Sequence, residues 1–336
     1  MTYTHRRPII GIIGLGNWGT ALAHCLSQRH GGVLAWTKDQ GVRESIIQMR
    51  KNDLYKIPQV LHDGIQVVER LEDILSAEIL ILALPSKVIA DVASQLGALS
   101  PTSIIVSASK GFDPVTRRTP LQLLEQLLPF HKRRVVISGP SFSADVLRDL
   151  PAALVAGASQ ENDAREVAEL FSGTSLRLYS SDDPLGVELG GILKNVIAIA
   201  AGVSDGLGLG DSSRAAVITR GLAEMRPFFA AAGAQAETLF GLSGLGDLIM
   251  TASSPLSRNR TVGFRLGQGE HLSAIIDSLG SVAEGVSTVH RVIELARDYK
   301  VSMPISEQME GIISGAVTPH DAMQNLLRRP HKREFS

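Results

Sequence analysis

Ile9-Ile-Gly-Ile-Ile-Gly14-Leu-Gly16-Asn-Trp-Gly19 is a short apolar run that breaks into spaced glycines, and the helix-prone Thr20-Ala-Leu-Ala-His-Cys-Leu26 follows at once. An apolar strand, a glycine turn and a helix N-terminus in that order make a seat for a pyrophosphate. Gly14 makes the tight turn, Gly16 lets backbone approach the phosphates, and Gly19 lets helix and strand pack closely. Glycines at this spacing carry little weight alone; the strand-to-helix context gives them meaning. The segment predicts that the chain binds a dinucleotide.

The pattern continues outward from this turn. Further apolar runs fall at 33–37, 79–84, 103–107, 135–138 and 152–156, and helix-like stretches at 20–28, 42–49, 87–96, 120–128 and 161–171 lie between them. Continuous apolar strands alternating with helices argue for a mostly parallel, doubly wound sheet covered on both faces, a Rossmann-type α/β domain. Ligand loops should then sit at the carboxyl ends of the strands. From about Pro184 strand-like runs give way to long Ala/Leu/Ile/Gly segments at 185–203, 212–232, 258–268, 286–298 and 306–314, which predict an all-α second domain packed through small residues. The polar stretch Ser180-Ser-Asp-Asp-Pro184 marks the boundary, with a dinucleotide-binding domain over 1–183 and a helical substrate-binding and catalytic domain over 184–336.

Bulk properties narrow the function classes. The chain has 336 residues, enough for two domains, and a net charge of −1, so no basic field points to nucleic acid or to an anionic membrane. The polar, basic start lacks the apolar core of a secretory signal, and the apolar stretches at 77–85 and 196–204 look too short or too charge-flanked to span a bilayer. The single cysteine, Cys25, cannot form an internal disulfide and suits a reducing, cytoplasmic setting. Nine scattered histidines without ligand spacing give no metal site. The small-residue helices suit a homodimer and equally a tightly packed monomer.

Several polar residues stand where a bland fold would not put them. The second strand runs into Thr37-Lys38-Asp39. A hydroxyl and a cation thus occupy the place where an NAD-specific fold carries a ribose-binding carboxylate, which favours NADP or tolerance of both NAD and NADP. Lys38 reads equally well as an ordinary exposed strand-end lysine. Lys110 ends the strand segment Ser103–Ser109 and can grip a phosphate or polarise a carbonyl. Ser138-Gly139-Pro-Ser141-Phe offers a turn that could cradle an anion. Lys194 interrupts an apolar helix, either snorkelling to the surface or serving as a desolvated acid–base group, with Glu188 and Asn195 as polar company. Gly241-Leu-Ser-Gly-Leu-Gly-Asp247 presents a carboxylate in apolar sequence that needs a cationic partner. Ser257-Arg258-Asn259-Arg260, at the start of a helix, combines a fork-shaped guanidinium with small donors and helix-end amides, which suits a phosphate.

In this order and spacing the segments are specific. The chain resembles the bacterial NAD(P)-dependent glycerol-3-phosphate dehydrogenases from Ile9 to the Arg-Pro-His-Lys-Arg end. The likeness rests on Gly14–Ala23, Leu84-Pro-Ser86, Ser109-Lys-Gly111, Ser138–Phe142, Glu188–Gly202, Gly241–Leu248, Ser257–Arg260 and Val282–Val286. It implies a second domain of the 6-phosphogluconate-dehydrogenase-like type. It also implies reversible hydride transfer between NAD(P)H and dihydroxyacetone phosphate, giving the sn-glycerol 3-phosphate used for phospholipid synthesis. Gly14, Gly16, Asn17, Trp18, Gly19, Lys38, Lys110, Ser143, Arg258, Val282 and Glu284 would then contact the cofactor. Lys110, Gly139, Ser141, Lys194, Asp247, Ser257, Arg258 and Asn259 would hold the substrate. Lys194 would be the proton donor and acceptor, supported by Asp247 and Lys110, with Lys110 and Lys194 meeting at the nicotinamide. Two departures stand out: Phe142-Ser143-Ala144-Asp145 lacks the family's usual small apolar and basic residues, and Thr37-Lys38 replaces its arginine- or histidine-bearing versions. A related reductase of another small oxo acid and a non-catalytic NAD(P)H sensor are the rival readings. The former needs a carboxylate grip, and the latter has no use for a proton donor.

Overall fold

The computed structural model describes residues 7–279, 283–331, 333 and 334, and the chain divides into two compact units, residues 1–188 and 189–336. The first unit is built on one eight-stranded sheet in the order β3-β2-β1-β4-β5-β6-β7-β8. The strands are β1 (Ile10–Ile13), β2 (Val33–Trp36), β3 (Ile65–Val67), β4 (Ile79–Leu82), β5 (Ile104–Ser107), β6 (Arg134–Ser138), β7 (Ala152–Gly157) and β8 (Leu176–Ser181). All neighbours pair in parallel except β6 and β7. The helices of this unit are α1 (Asn17–His30), α2 (Gln40–Met49), α3 (Ile89–Ala93), α4 (Pro120–Leu127), α5 (Ser143–Val146) and α6 (Glu161–Leu170).

The apolar runs form central strands because both faces of the sheet are covered. Alternate residues serve two cores: Ile79, Ile81, Ile104 and Val106 join one cluster with Leu22 and Leu26 of α1, whereas Leu80, Leu82 and Ile105 join another with Val92 of α3 and Leu124 of α4. The strands expected from the sequence are all present to within a residue or two. The two it did not suggest, β3 and β8, are the two edges of the sheet. Neither is a continuous apolar run: β8 alternates buried Leu176 and half-buried Leu178 with exposed Arg177 and Tyr179.

The second unit is helical: α7 (Pro184–Gly206), which starts in the first unit, α8 (Gly210–Ala232), α9 (Asp247–Ser253), α10 (Arg258–Gly267), α11 (Leu272–Leu279), α12 (Glu284–Asp298), α13 (Pro304–Ser314) and α14 (Pro319–Leu327). The parallel-dominated α/β domain and the all-α domain thus both stand as the sequence predicts. Helices α9, α11 and α14 were not among the expected segments. Among the described residues α7 is the one helix long and apolar enough to cross a membrane, with a mean hydropathy of 1.5, and its apolar window is wholly buried. The apolar run at 196–204, which reads from the sequence as too short or too charge-flanked to span a bilayer, is one part of this longer helix, whose apolar sequence is interrupted by Glu188, Lys194 and Asn195. A buried carboxylate closes another joint: Glu224 of α8 accepts from the Ile305 and Ser306 amides at 2.8 and 3.0 Å and so caps α13, where Met303 offers no side-chain cap.

Candidate active site

In the first unit the candidate residues gather at the carboxyl ends of the parallel strands. Gly14 has φ +98°, and a Cβ on it would stand 2.5 Å from the Ala83 carbonyl oxygen; one on Gly19 would stand 1.8 Å from the Gly14 oxygen. Both positions therefore require glycine, so α1 can start tightly against β1. Gly16 differs: a Cβ there would meet only the Tyr55 ring, at an ordinary contact distance of 3.7 Å. Helix α1 begins with Gly16 at its N-cap, and no side chain caps it. A glycine before uncapped helix amides fits a dinucleotide pyrophosphate. Asn17 beside it is exposed, while Trp18 is half-buried against the core. The turn is braced by Asn52, a residue the sequence reading missed. Its Nδ2 donates to the Leu15 carbonyl and to Thr20 Oγ1, both at 2.8 Å.

Past β2, Asp39 is the N-cap of α2, its Oδ1 accepting from the Val42 amide at 2.9 Å. Its carboxylate is engaged in holding a helix, and Thr37 and exposed Lys38 are left at the strand end. Lys110 follows β5 and is half-buried. The adjoining Gly111 has φ +130°, and the loop is tied to the one after β4 by the bond from the Leu84 amide to Ser109 Oγ at 3.3 Å. Gly139, with φ +141°, turns the chain after β6, Ser141 Oγ donates to the Gly139 carbonyl at 3.3 Å, and Ser143 starts α5.

The second unit gathers the other group on facing helices. Lys194 of α7 does not snorkel: its side chain is 7% exposed, and Nζ donates to Asp247 Oδ1 and, at 2.8 Å, to Thr251 Oγ1. Asp247 is fully buried. The glycine loop makes this meeting possible. A Cβ on Gly190, one turn before Lys194, would lie 2.6 Å from the Ser243 carbonyl oxygen, so backbone rides on backbone and α9 starts against α7. Thr251 went unassigned in the sequence reading, although its spacing from Asp247 on a helix puts both on one face. Ser257 caps α10, accepting from the Arg260 amide at 3.2 Å, and places Arg258 and Asn259 in the first turn. Asn259 Nδ2 donates to Asn195 Oδ1 at 2.8 Å, and its Oδ1 accepts from the Gly285 amide at 3.0 Å, so the start of α12 with Glu284 joins this group. Val282 lies outside the described residues.

One expectation fails. Glu188 is no companion of Lys194; its Oε1 accepts from the Leu121 amide at the start of α4, 2.8 Å away. The helical periodicity of α7 explains this, since residues six apart do not share a face. Desolvation by burial pushes Glu188 up to about 7, against the hydrogen bonds from Thr119 and Leu121. Lys110 belongs to the first unit and Lys194 to the second.

Comparison with known proteins agrees in both halves. Models of the NAD-dependent glycerol-3-phosphate dehydrogenase N-terminus and C-terminus match residues 9–164 and 183–324. The glycerol-3-phosphate dehydrogenase, NAD(P)+ type, of Syntrophotalea carbinolica is 42% identical over 330 residues, covering 97% of this chain and 99% of its own. That of Koribacter versatilis is 44% identical over 331 residues, covering 97% and 98%. The crystal structure of glycerol-3-phosphate dehydrogenase from Coxiella burnetii superposes with a TM-score of 0.91 at 32% identity, covering 96% of this chain and 99% of that one. The chain belongs to the NAD-dependent glycerol-3-phosphate dehydrogenase family.

Proposed function

We propose that this chain reversibly reduces dihydroxyacetone phosphate with NADH or NADPH, giving sn-glycerol 3-phosphate for phospholipid synthesis. The observation that carries the reading is the buried Lys194 ammonium held by Asp247 and Thr251, in a chain of this family. A soluble binding module gains nothing from a lysine desolvated and aimed in this way.

In the proposed site the glycine turn, Asn17, Trp18, Lys38, Ser143, Val282 and Glu284 hold the dinucleotide, which supplies or accepts the hydride when bound. Negative charge then develops on the substrate oxygen. Lys194 Nζ gives that oxygen a proton, and Lys110 is assigned the role of fixed positive charge in the reaction. In the reverse direction neutral Lys194 takes the proton from the alcohol. Asp247 and Thr251 keep the amine in place. Arg258, with Ser257 and Asn259, grips the remote phosphate, and Gly139 and Ser141 line the carbon chain. That grip converts phosphate binding into orientation of the carbonyl.

The reading extends to NADPH as the preferred cofactor, supported by Thr37 and Lys38 at the β2 end with Asp39 engaged as a cap. It extends also to a reducing cytoplasmic setting, supported by a single buried thiol, Cys25. A homodimer is the third extension; its support is the exposed, small-residue face of α8 at Ala215, Thr219, Ala223 and Ala230, and sedimentation velocity tests it.

The deciding experiment follows nicotinamide absorbance with each cofactor against dihydroxyacetone phosphate and against a panel of unphosphorylated 2-oxo acids. Oxidation with the triose phosphate is expected. Turnover confined to an oxo acid would favour the rival reductase, and binding of NADPH without any turnover would favour a sensor.

A further inference from the structure

Asp205, near the end of α7, holds two arginines on one carboxylate. Arg260 of α10 donates to Oδ2 from Nε at 3.0 Å and from a terminal nitrogen at 2.6 Å, and Arg214 of α8 donates to Oδ1 at 2.9 Å. The Asp205 side chain is 8% exposed, so this is a desolvated, fully used acceptor rather than a surface ion pair. Arg214 is completed by Asp211 at 2.5 Å, and the cluster of two arginines and two aspartates is balanced in charge.

The same two helices touch backbone to backbone. A Cβ on Gly202 would lie 2.1 Å from the Arg260 carbonyl oxygen and one on Gly206 2.1 Å from that of Phe264. From the other side, one on Gly263 would lie 1.9 Å from the Ile199 oxygen and one on Gly267 2.5 Å from that of Val203. The contacts advance together along both helices, so α7 and α10 run parallel. Such a seam lets two helices come close but resists axial slip only weakly, because glycines offer no knobs. Side chains supply the stops: the Asn259–Asn195 bond at one point of the seam, and Asp205 at another, where Arg260 sits in the first turn of α10, immediately after Arg258 and Asn259.

We propose that Asp205 is a positioning residue that sets the axial register of α10 on α7. It thereby sets the span between Lys194 and the phosphate-gripping turn, and so selects ketones whose phosphate lies at one fixed distance from the carbonyl. A slip of one helical turn would carry Arg258 about 5.4 Å along α7, a distance comparable to the carbonyl-to-phosphate span of a triose phosphate. The proposal rests on the assignment of Arg258 to phosphate made above.

The test compares kcat/KM for dihydroxyacetone phosphate with that for unphosphorylated dihydroxyacetone in wild type, Asp205→Ala and Asp205→Asn. A misplaced grip costs the phosphorylated substrate about tenfold to a hundredfold, whereas the truncated ketone, which never reaches α10, keeps its rate within about twofold. Asp205→Asn retains an acceptor for Arg260 and recovers part of the loss. Should Asp205→Ala fail to fold, Arg260→Lys keeps the charge, loses the forked contact and is expected to show the same one-sided loss. Equal losses on both substrates, or none on either, would overturn the proposal. A wild type that shows no preference for the phosphorylated ketone would instead sink the reading of Arg258 on which it depends.

Discussion

Removing the carboxylate from the Lys194–Asp247 pair should unfold the helical unit far more readily than loss of an ordinary ion pair. Asp247 is 0% exposed and Lys194 7% at the side chain, so neither partner can turn to water when the other goes. Asp247→Ala removes the carboxylate that balances the ammonium, and Thr251 Oγ1, 2.8 Å away, is a neutral acceptor that does not replace that charge. Breaking a buried pair in this one-sided way costs about 3–5 kcal/mol. The loss has a ceiling, because a lysine can shed its proton instead: at pH 7 that costs about 1.4 kcal/mol per unit across roughly 3.4 units to the ordinary lysine value, close to 5 kcal/mol. Replacing both partners with apolar residues of similar size, Lys194→Met with Asp247→Leu, should restore most of the stability while leaving no activity. Urea unfolding followed by circular dichroism measures all three variants. A loss below about 1 kcal/mol for Asp247→Ala, the level of an exposed pair, would refute the claim that the pair is desolvated.

Other outcomes follow from single residues. Burial pushes Glu224 up to about 7 despite hydrogen bonds from Ser306 and Ile305. The folded chain thus binds that proton more tightly than the unfolded one, and the stability it contributes is full below about pH 4.5 and lost as pH rises through about 7. Against Glu224→Gln, denaturation midpoints of the wild type should fall between about pH 5 and pH 8, by an amount on the order of 3 kcal/mol; parallel curves would contradict this. Gly263→Ala drives a methyl into the Ile199 carbonyl, whereas Gly97→Ala meets nothing within 4 Å. The former should lower the thermal midpoint by many degrees and the latter leave it unchanged or slightly raised. Lys38→Asp should raise the KM for NADPH at least tenfold with little change for NADH, and an equal effect on both cofactors would remove Lys38 from the ribose phosphate.

What could be read in the chain depended on whether a signal was local. The Gly14–Gly19 turn, the apolar central strands and the Ser257 cap each declare themselves within a few residues, because their geometry is set by neighbours in sequence. Edge strands β3 and β8 escaped because a half-solvated strand has no continuous apolar run, and α9 was hidden behind the glycine loop that positions it. The partners of buried charges are long-range. Lys194 meets Asp247 and Asp205 meets Arg260 across 53 and 55 positions, and no spacing rule spans that gap. Glu188 shows the opposite error: nearness in sequence suggested a partner for Lys194, and the helix turned it towards α4. Thr251 was within reach, since a helix beginning at Asp247 puts it on the same face.

The account turns on Lys194 as the proton donor. Steady-state rates of NADPH oxidation with dihydroxyacetone phosphate, compared between wild type and Lys194→Ala over a range of pH, test it most directly. A fall in kcat of about a hundredfold or more, with the variant still binding NADPH, is the predicted result. Equal kcat in the two proteins would contradict it.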